Sequence, residues 1–397
     1  MPRGLGGSGA LARAAASRGG DTSRAPQRLG AHGRDGTRAH GAGGGGCDVS
    51  PRGAREGGAG GARSGGRAAA RRREDGRLGG AARSGARPAA APAEIVVVGS
   101  VALDSVRTPF GESGDALGGS ASYFSLSACH FAPVRMVAVV GEDFPPEHRE
   151  TFRSRGVDLE GLETAPGRTF RWRGEYAVEL GHAHTLETQL NVFSDFHPRL
   201  DDRHRACPFV FLANIDPELQ LEVLGQMRRP RLTVSDTMNY WIARKPDRVL
   251  EVLRRVDVAL LNEEEAKSLA GETQLVRAAD RLLDQGASAV IVKKGEHGAL
   301  YRSREERFIT PAYPVEALTD PTGAGDSFAG GFIGWLARCG RDDGHALRQA
   351  LACGTAMASI AIEDFSPRRL LETDREEIAR RVGLLHHMAS FDLQPVF

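Results

Sequence analysis

An α/β fold with a mostly parallel central sheet, covered by helices on both faces, is what this sequence predicts from Glu94 onward. Two observations predict it. Short β-branched runs alternate with longer helical stretches, the rhythm of parallel strands joined by crossovers. The runs are also apolar at nearly every position, as strands buried on both faces must be. A third observation adds a small element outside that sheet: between Thr169 and Phe193 polar and aromatic residues alternate, the pattern of a β-hairpin.

The elements follow in order. Glu94–Val98 is an apolar run that stops at Gly99-Ser100 and reads as the first strand. A helix follows Gly118-Gly119, and a strand over Val134–Val140 ends at Gly141-Glu142-Asp143. Phe209–Leu212, Leu232–Val234, Val256–Leu261 and Ala289–Val292 continue the strands, with helices over Pro217–Arg228 and Gln274–Asp284 between them. Helices over Gly325–Arg338, Gly344–Ile362 and Arg375–His386 close the C-terminal half. The hairpin strands are Thr169–Glu179 (Phe170, Trp172, Tyr176) and Thr185–Phe193 (Leu186, Leu190, Val192), joined by Gly181-His182-Ala183-His184. An ordinary antiparallel edge is the plainer account of them.

Composition divides the 397 residues unequally. Residues 1–92 hold 25 of the 50 glycines and 17 arginines against six acids, with no lysine and no aromatic residue. So little apolar surface cannot offset chain entropy, and the segment is expected to be disordered. Its net charge of +11 leaves about −10 for residues 93–397, which argues against nucleic acid as a partner. No run of 18 apolar residues occurs, so no transmembrane helix is expected, and no apolar core of a secretory signal is present. An organellar leader, opposed by the abundant glycine, and a start codon placed too far upstream both remain open for residues 1–92. Cys47, Cys129, Cys207, Cys339 and Cys353 are scattered and odd in number, which fits a reducing cytoplasm and no zinc cluster.

Chemistry concentrates in Asp320-Pro-Thr-Gly-Ala-Gly-Asp326-Ser-Phe-Ala-Gly-Gly-Phe332. The amides of Gly323, Ala324 and Gly325 precede an acid where an apolar helix begins. Such a turn aims N–H groups and the positive end of a helix dipole at one spot, suiting a phosphate or a developing oxyanion. Asp326 is then placed to take a proton from a hydroxyl attacking that phosphate. A shorter Gly-x-Gly-Asp alone would mean no more than a glycine-rich helix start with Asp as its cap.

Other segments end strands where open α/β sheets bind ligands. Gly99-Ser-Val-Ala-Leu-Asp104 puts there a carboxylate suited to a vicinal diol, although a turn or cap role is as common. Gly118-Gly119-Ser-Ala-Ser-Tyr123 on its own is loop punctuation. Asn262-Glu-Glu-Glu265 could simply be an acidic first turn favoured by the helix dipole. Lys293-Lys-Gly295-Glu-His-Gly298 follows another strand, and Asp236-Thr-Met-Asn239 either lines a cleft or makes a turn. Gly4-Leu-Gly6-Gly-Ser-Gly9 fits a dinucleotide pattern but has no strand before it, and no P-loop motif is present. His182 and His184 read as solvated hairpin residues rather than metal ligands.

The string Asp320–Asp326 resembles the C-terminal signature of the ribokinase-like, or phosphofructokinase-B, family of carbohydrate and nucleoside kinases. The resemblance runs from Glu94 through most of the chain, and it implies a three-layer α/β/α ribokinase-like domain over residues 93–397. It implies a lid of about residues 104–118 and 165–194, which in this family also serves dimer contact, so a homodimer through the lid is open. Asp326 becomes the catalytic base, and Gly323, Ala324 and Gly325 the anion hole. Asp104, Gly118 and Gly119 become substrate-binding, while Asn262, Lys293, Gly295 and Gly298 take the nucleotide side. Glu265 is implied to organise water around Mg²⁺, and Asp320 and Thr322 to border a K⁺ site, a feature that varies within the family. Tyr123 stands where many members have Asn, so ribose, fructose or adenosine specificity does not transfer directly. The expectation is ATP-dependent phosphorylation of a hydroxyl on a small sugar or sugar derivative in the cytoplasm, with no membrane partner. A nucleoside kinase for adenosine, inosine or cytidine is the near alternative. A non-catalytic ligand-binding relative is the alternative of another class, and intact Asp326 weighs against it.

Overall fold

Successive strand residues point to opposite faces, so a run that is apolar throughout has to be covered twice. The computed structural model, which describes residues 91–177, 183–390 and 392, has that arrangement. In chain order, β1 (Ile95–Val98), β2 (Ala102–Thr108) and β3 (Gly111–Gly118) lead into α1 (Ser120–Ala128). Next come β4 (Val134–Gly141), α2 (Pro146–Ser154), β5 (Val157–Ala165), β6 (Phe170–Tyr176) and β7 (Ala183–Gln189). Then follow α3 (Asp202–Arg205), β8 (Phe209–Leu212), α4 (Pro217–Gln226), β9 (Leu232–Ser235), α5 (Asn239–Arg244) and α6 (Pro246–Leu253). β10 (Val258–Asn262), α7 (Glu263–Ala270), α8 (Leu275–Asp284), β11 (Ala289–Lys293), β12 (Ala299–Ser303) and β13 (Arg307–Thr310) extend the sheet. Four helices end the chain: α9 (Ala324–Cys339), α10 (Gly344–Ala361), α11 (Arg368–Glu372) and α12 (Arg375–Ala389).

The central sheet has nine strands in the order β13-β12-β11-β10-β9-β8-β1-β4-β5. From β5 to β11 every pairing is parallel, and β12 and β13 add an antiparallel edge. On one face Ile95, Val97, Met136, Phe211 and Ile291 form a core with Phe124 of α1, Phe332 of α9 and Met357 of α10. On the other, Val96, Val98, Val210, Leu212 and Val290 pack with Val223 of α4, Val252 of α6 and Leu282 of α8. Phe124 stacks on Phe211 at 4.4 Å between centroids; truncating either to Ala would cost about 3–5 kcal/mol. The chain leaves β1 toward β4 and later returns to β8 on its other side, which opens a crevice beyond the strands' carboxyl ends.

A second sheet of four strands, ordered β3-β2-β6-β7, stands apart from the first. Residue periodicity marks one hairpin there, and the family resemblance adds residues 104–118 to it; the structure has two hairpins, joined with β2 and β6 paired in parallel at the centre. The second hairpin strand ends at Gln189, four residues early, because residues 191–195 coil into a 3₁₀ turn with Asn191 at φ 48°. The expected strand from Val256 begins only at Val258, since the Val256 amide still donates to Val252 of the preceding helix. The expectations for residues 1–90, for Gly4–Gly9 and for the hairpin tip with Gly181 and His182 fall outside the described residues. His184 is exposed beside Glu175. Among the described residues no helix is long and apolar enough to cross a membrane.

Candidate active site

α9 begins with Gly323 as its N-cap at φ 74°, a left-handed conformation that suits glycine. A Cβ at this position would also collide with the Tyr123 ring, which lies flat on the turn. Among the described residues the amides of Gly323 and Gly325 meet no acceptor, while Ala324 turns back to Pro321 at 3.3 Å. Unpaired N–H groups at the head of a 16-residue helix make an anion site. Upstream, Asp320 is only 1 % exposed; its Oδ1 accepts the Thr322 amide (2.9 Å) and its Oδ2 the Ser366 amide (3.3 Å).

Asp326 lies in the first turn of α9. Burial of its carboxyl pushes it up to about 8, the negative charges of Asp236 and Asp104 add to this, and the Lys293 ammonium opposes them. An acid balanced near neutral pH can both take and release a proton.

Asp104 projects from β2 and is 7 % exposed. Its Oδ2 accepts the Gly119 amide at 3.3 Å, and a side chain at Gly118 would overlap the same carboxylate. Oδ1 is buried with no partner. Burial first, and then the charge of Asp320, push this acid up to about 7 against the Gly119 hydrogen bond. An orphaned acceptor of this kind is completed by a hydroxyl donor.

The ends of β9, β10 and β11 form the remaining wall. Lys293 Nζ donates to Asp236 Oδ2 at 2.7 Å and sits 2.9 Å from where a Cβ on Gly325 would be. The ammonium therefore borders the anion turn. Burial would lower the Lys293 pKa, yet Asp236 and Glu265 outweigh it and the group stays above its usual value. Gln220 Nε2 donates to the carbonyls of Ala213 and Asp236 at 2.9 Å each, fixing the ends of β8 and β9. Glu265 is pushed up to about 7 by burial, with Lys293 opposing and Asp236 adding.

The structure thus gathers Asp104, Gly118, Gly119, Gly323, Ala324, Gly325, Asp326, Lys293 and Glu265 around one crevice. Asn262 and Glu265 also form a capping box: Asn262 Oδ1 accepts the Glu265 amide (2.8 Å) and Glu265 Oε2 the Asn262 amide (2.7 Å). Their spacing is thus a helix-start signature as well as a candidate site. Gly298, at φ 81°, lies against the Thr310 carbonyl and serves the turn into β12, whereas Gly295 at φ 53° faces open space. The sequence leaves Asp236 undecided between cleft and turn; in the structure it is the partner of Lys293. Tyr176, which the sequence shows only as a hairpin residue, brings its hydroxyl 3.1 Å from Thr322 Oγ1.

Comparison with known proteins follows the same line. The family model described as pfkB family carbohydrate kinase matches residues 94–374. A cytidine kinase of Thermococcus kodakarensis is 32 % identical over 260 residues, which is 62 % of this chain and 89 % of the relative. A Burkholderia thailandensis nucleoside kinase solved with inosine superposes with a TM-score of 0.62 at 18 % identity, covering 74 % of this chain and 99 % of its own. An Escherichia coli protein solved in complex with ATP and Mg²⁺ gives 0.59 at 22 %, covering 74 % and 99 %. Both structural likenesses bear on the fold.

Proposed function

Because the chain belongs to the pfkB family of carbohydrate kinases, phosphotransferases that act on a sugar or nucleoside hydroxyl, we propose that it moves the γ-phosphoryl group of ATP to a hydroxyl of a small sugar or sugar derivative. The observation that carries this reading is the pair of acids facing the anion turn: buried Asp104 with an unpartnered oxygen, and half-buried Asp326, whose carboxyl is pushed up to about 8. A ribonucleoside acceptor is the second reading, favoured by the cytidine kinase relative, most of whose length the chain covers.

In this reading the acceptor's neighbouring hydroxyls donate to Asp104, which fixes the sugar. Asp326 takes the proton of the attacking hydroxyl as its oxygen bonds to the γ-phosphorus and the bond to the bridging oxygen of ADP breaks. The amides of Gly323 and Gly325 and the Lys293 ammonium offset charge on the transferring group, the main source of catalysis in phosphoryl transfer. Asp236, Glu265 and Asp326 are the acids that act on the Lys293 ammonium. Among the described residues no group of three or more acidic, His or Cys side chains is placed to hold a metal ion by itself, so a divalent cation here would be held through water and the nucleotide's phosphates. Mg²⁺ would supply charge neutralisation between the phosphates when bound, with Glu265 holding it through water; the ATP–Mg²⁺ complex of the Escherichia coli neighbour supports the same pair here.

Three narrower proposals attach to this one. Residues 93–397 form the catalytic unit in the cytoplasm, with Asn262, Gly295 and Gly298 on the nucleotide side. The four-stranded sheet acts as a lid over the acceptor and as the face of a homodimer. Lone pairs left on Asp320, beside Thr322, border a K⁺ site. A panel of sugars and ribonucleosides read by ADP release tests the main reading. Acceptor-dependent turnover with one class is expected; no turnover above acceptor-free hydrolysis across both classes would overturn it.

A further inference from the structure

Tyr176 is the last residue of β6, in the separate four-stranded sheet, yet its hydroxyl reaches the catalytic turn. The Tyr176 Oη to Thr322 Oγ1 distance of 3.1 Å spans 146 residues of sequence. Thr322 in turn gives its amide to Asp320 Oδ1 and stands immediately before Gly323. The other hairpin of that sheet reaches the same assembly from β3. Ser113 Oγ lies 3.5 Å from Ser366 Oγ, a weak contact, and the Ser366 amide donates to Asp320 Oδ2. Gly111, at the β2–β3 turn, faces the Phe365 ring closely enough that an added Cβ would lie 3.3 Å from it. Two strands of the small sheet thus hold the two residues whose amides the Asp320 carboxylate binds. Burial keeps the Tyr176 phenol above its usual pKa, so it remains a neutral hydrogen-bonding group.

We propose that Tyr176 is a positioning residue for phosphoryl transfer, its hydroxyl holding Thr322 so that the Gly323–Gly325 amides are aimed only while the small sheet is seated on the turn. The inference rests on the kinase reading of this site. Its consequence is that the anion turn is aligned together with the cover over the acceptor, which would suppress transfer to water when no acceptor is bound. Neither group touches the phosphate; the effect passes through backbone position.

Tyr176→Phe removes one oxygen atom and leaves the ring, so it opens no cavity at the ring. Turnover by the full-length wild type, with an acceptor found by the panel, is measured first. If that is absent the kinase reading fails and the positioning claim with it. Given wild-type turnover, Tyr176→Phe and Thr322→Val are each expected to lower kcat about 3–10-fold, in the range of one neutral hydrogen bond. The acceptor KM should move less than about 3-fold in both. Tyr176→Phe/Thr322→Val should be no worse than the poorer single variant, because both remove the same bond. Thr322→Ser, which keeps the hydroxyl, should recover most of kcat. Unchanged kcat in Tyr176→Phe, independent multiplication of the two losses, or a rise in acceptor KM with kcat intact would each overturn the proposal, the last by making Tyr176 an acceptor contact.

Discussion

Asp104 couples function to stability in opposite senses, and that coupling gives a measurable signature. Its carboxyl is pushed from 3.8 to about 7, chiefly by burial. The folded protein therefore holds this proton more tightly than the unfolded chain does. The stabilisation is whole below about pH 3.8 and is lost as pH rises through about 7. At 1.36 kcal/mol per pKa unit, the loss at pH 8 has a ceiling of about 4 kcal/mol. Asp104→Asn keeps the volume and cannot ionise, so the variant should melt above the wild type in the absence of ligands. The gap in midpoint should widen from pH 5 to pH 8, by up to several degrees. Catalysis should suffer in exchange. Asp104→Ala removes a charged acceptor from two substrate hydroxyls at about 1.5 kcal/mol each, raising the acceptor KM about 10²-fold. Differential scanning fluorimetry at the two pH values and initial rates with each substrate varied provide the assay. An Asn variant that melts below the wild type at pH 8, or an Ala variant that harms ATP and acceptor KM equally, would refute this reasoning.

Two further outcomes follow from the site and the composition. Lys293 lowers the pKa of Asp326, so Lys293→Met should shift the acid limb of the kcat/KM profile to higher pH as well as weaken ATP use; an unmoved limb would show that the ammonium does not sense the base. A protein beginning at residue 93 should keep the turnover and thermal midpoint of the full chain, and a large loss of either would show that residues 1–92 contribute to the core.

Much of the fold is legible in the sequence where burial is symmetrical. Ile95–Val98 and Phe209–Leu212 are covered on both faces, so they are apolar throughout and read directly as strands. β5 escapes that reading because it is an edge strand carrying Asp158, Glu160 and Glu163, and Asp158 is paired with Arg135 of β4. β12 and β13 are short and interrupted by Ser303-Arg-Glu-Glu306, too little periodicity to separate from loop. Periodicity does not show the second hairpin of the small sheet, because glycine and charge at Gly111–Asp115 never bury a face, and only the family resemblance points to residues 104–118. In the site, the Asp320–Asp326 turn is readable because its chemistry is contiguous. The Asp236–Lys293 pair and the Tyr176–Thr322 contact join residues 57 and 146 positions apart, and only the folded backbone brings them together.

The central claim is that Asp326 is the base at an anion-binding helix start. Asp326→Asn retains the size and most of the capping ability of the residue, so the variant should fold with a thermal midpoint near that of the wild type. It can no longer accept the proton, a loss worth about 10²–10⁴-fold, and the same side chain orients the attacking hydroxyl. Single-turnover rates at saturating ATP and acceptor should therefore fall by about 10⁴-fold, while ATP affinity stays within several-fold because the Gly323–Gly325 amides are intact. A folded Asp326→Asn protein that kept more than about a tenth of the wild-type rate, far above the general-base range, would contradict the account.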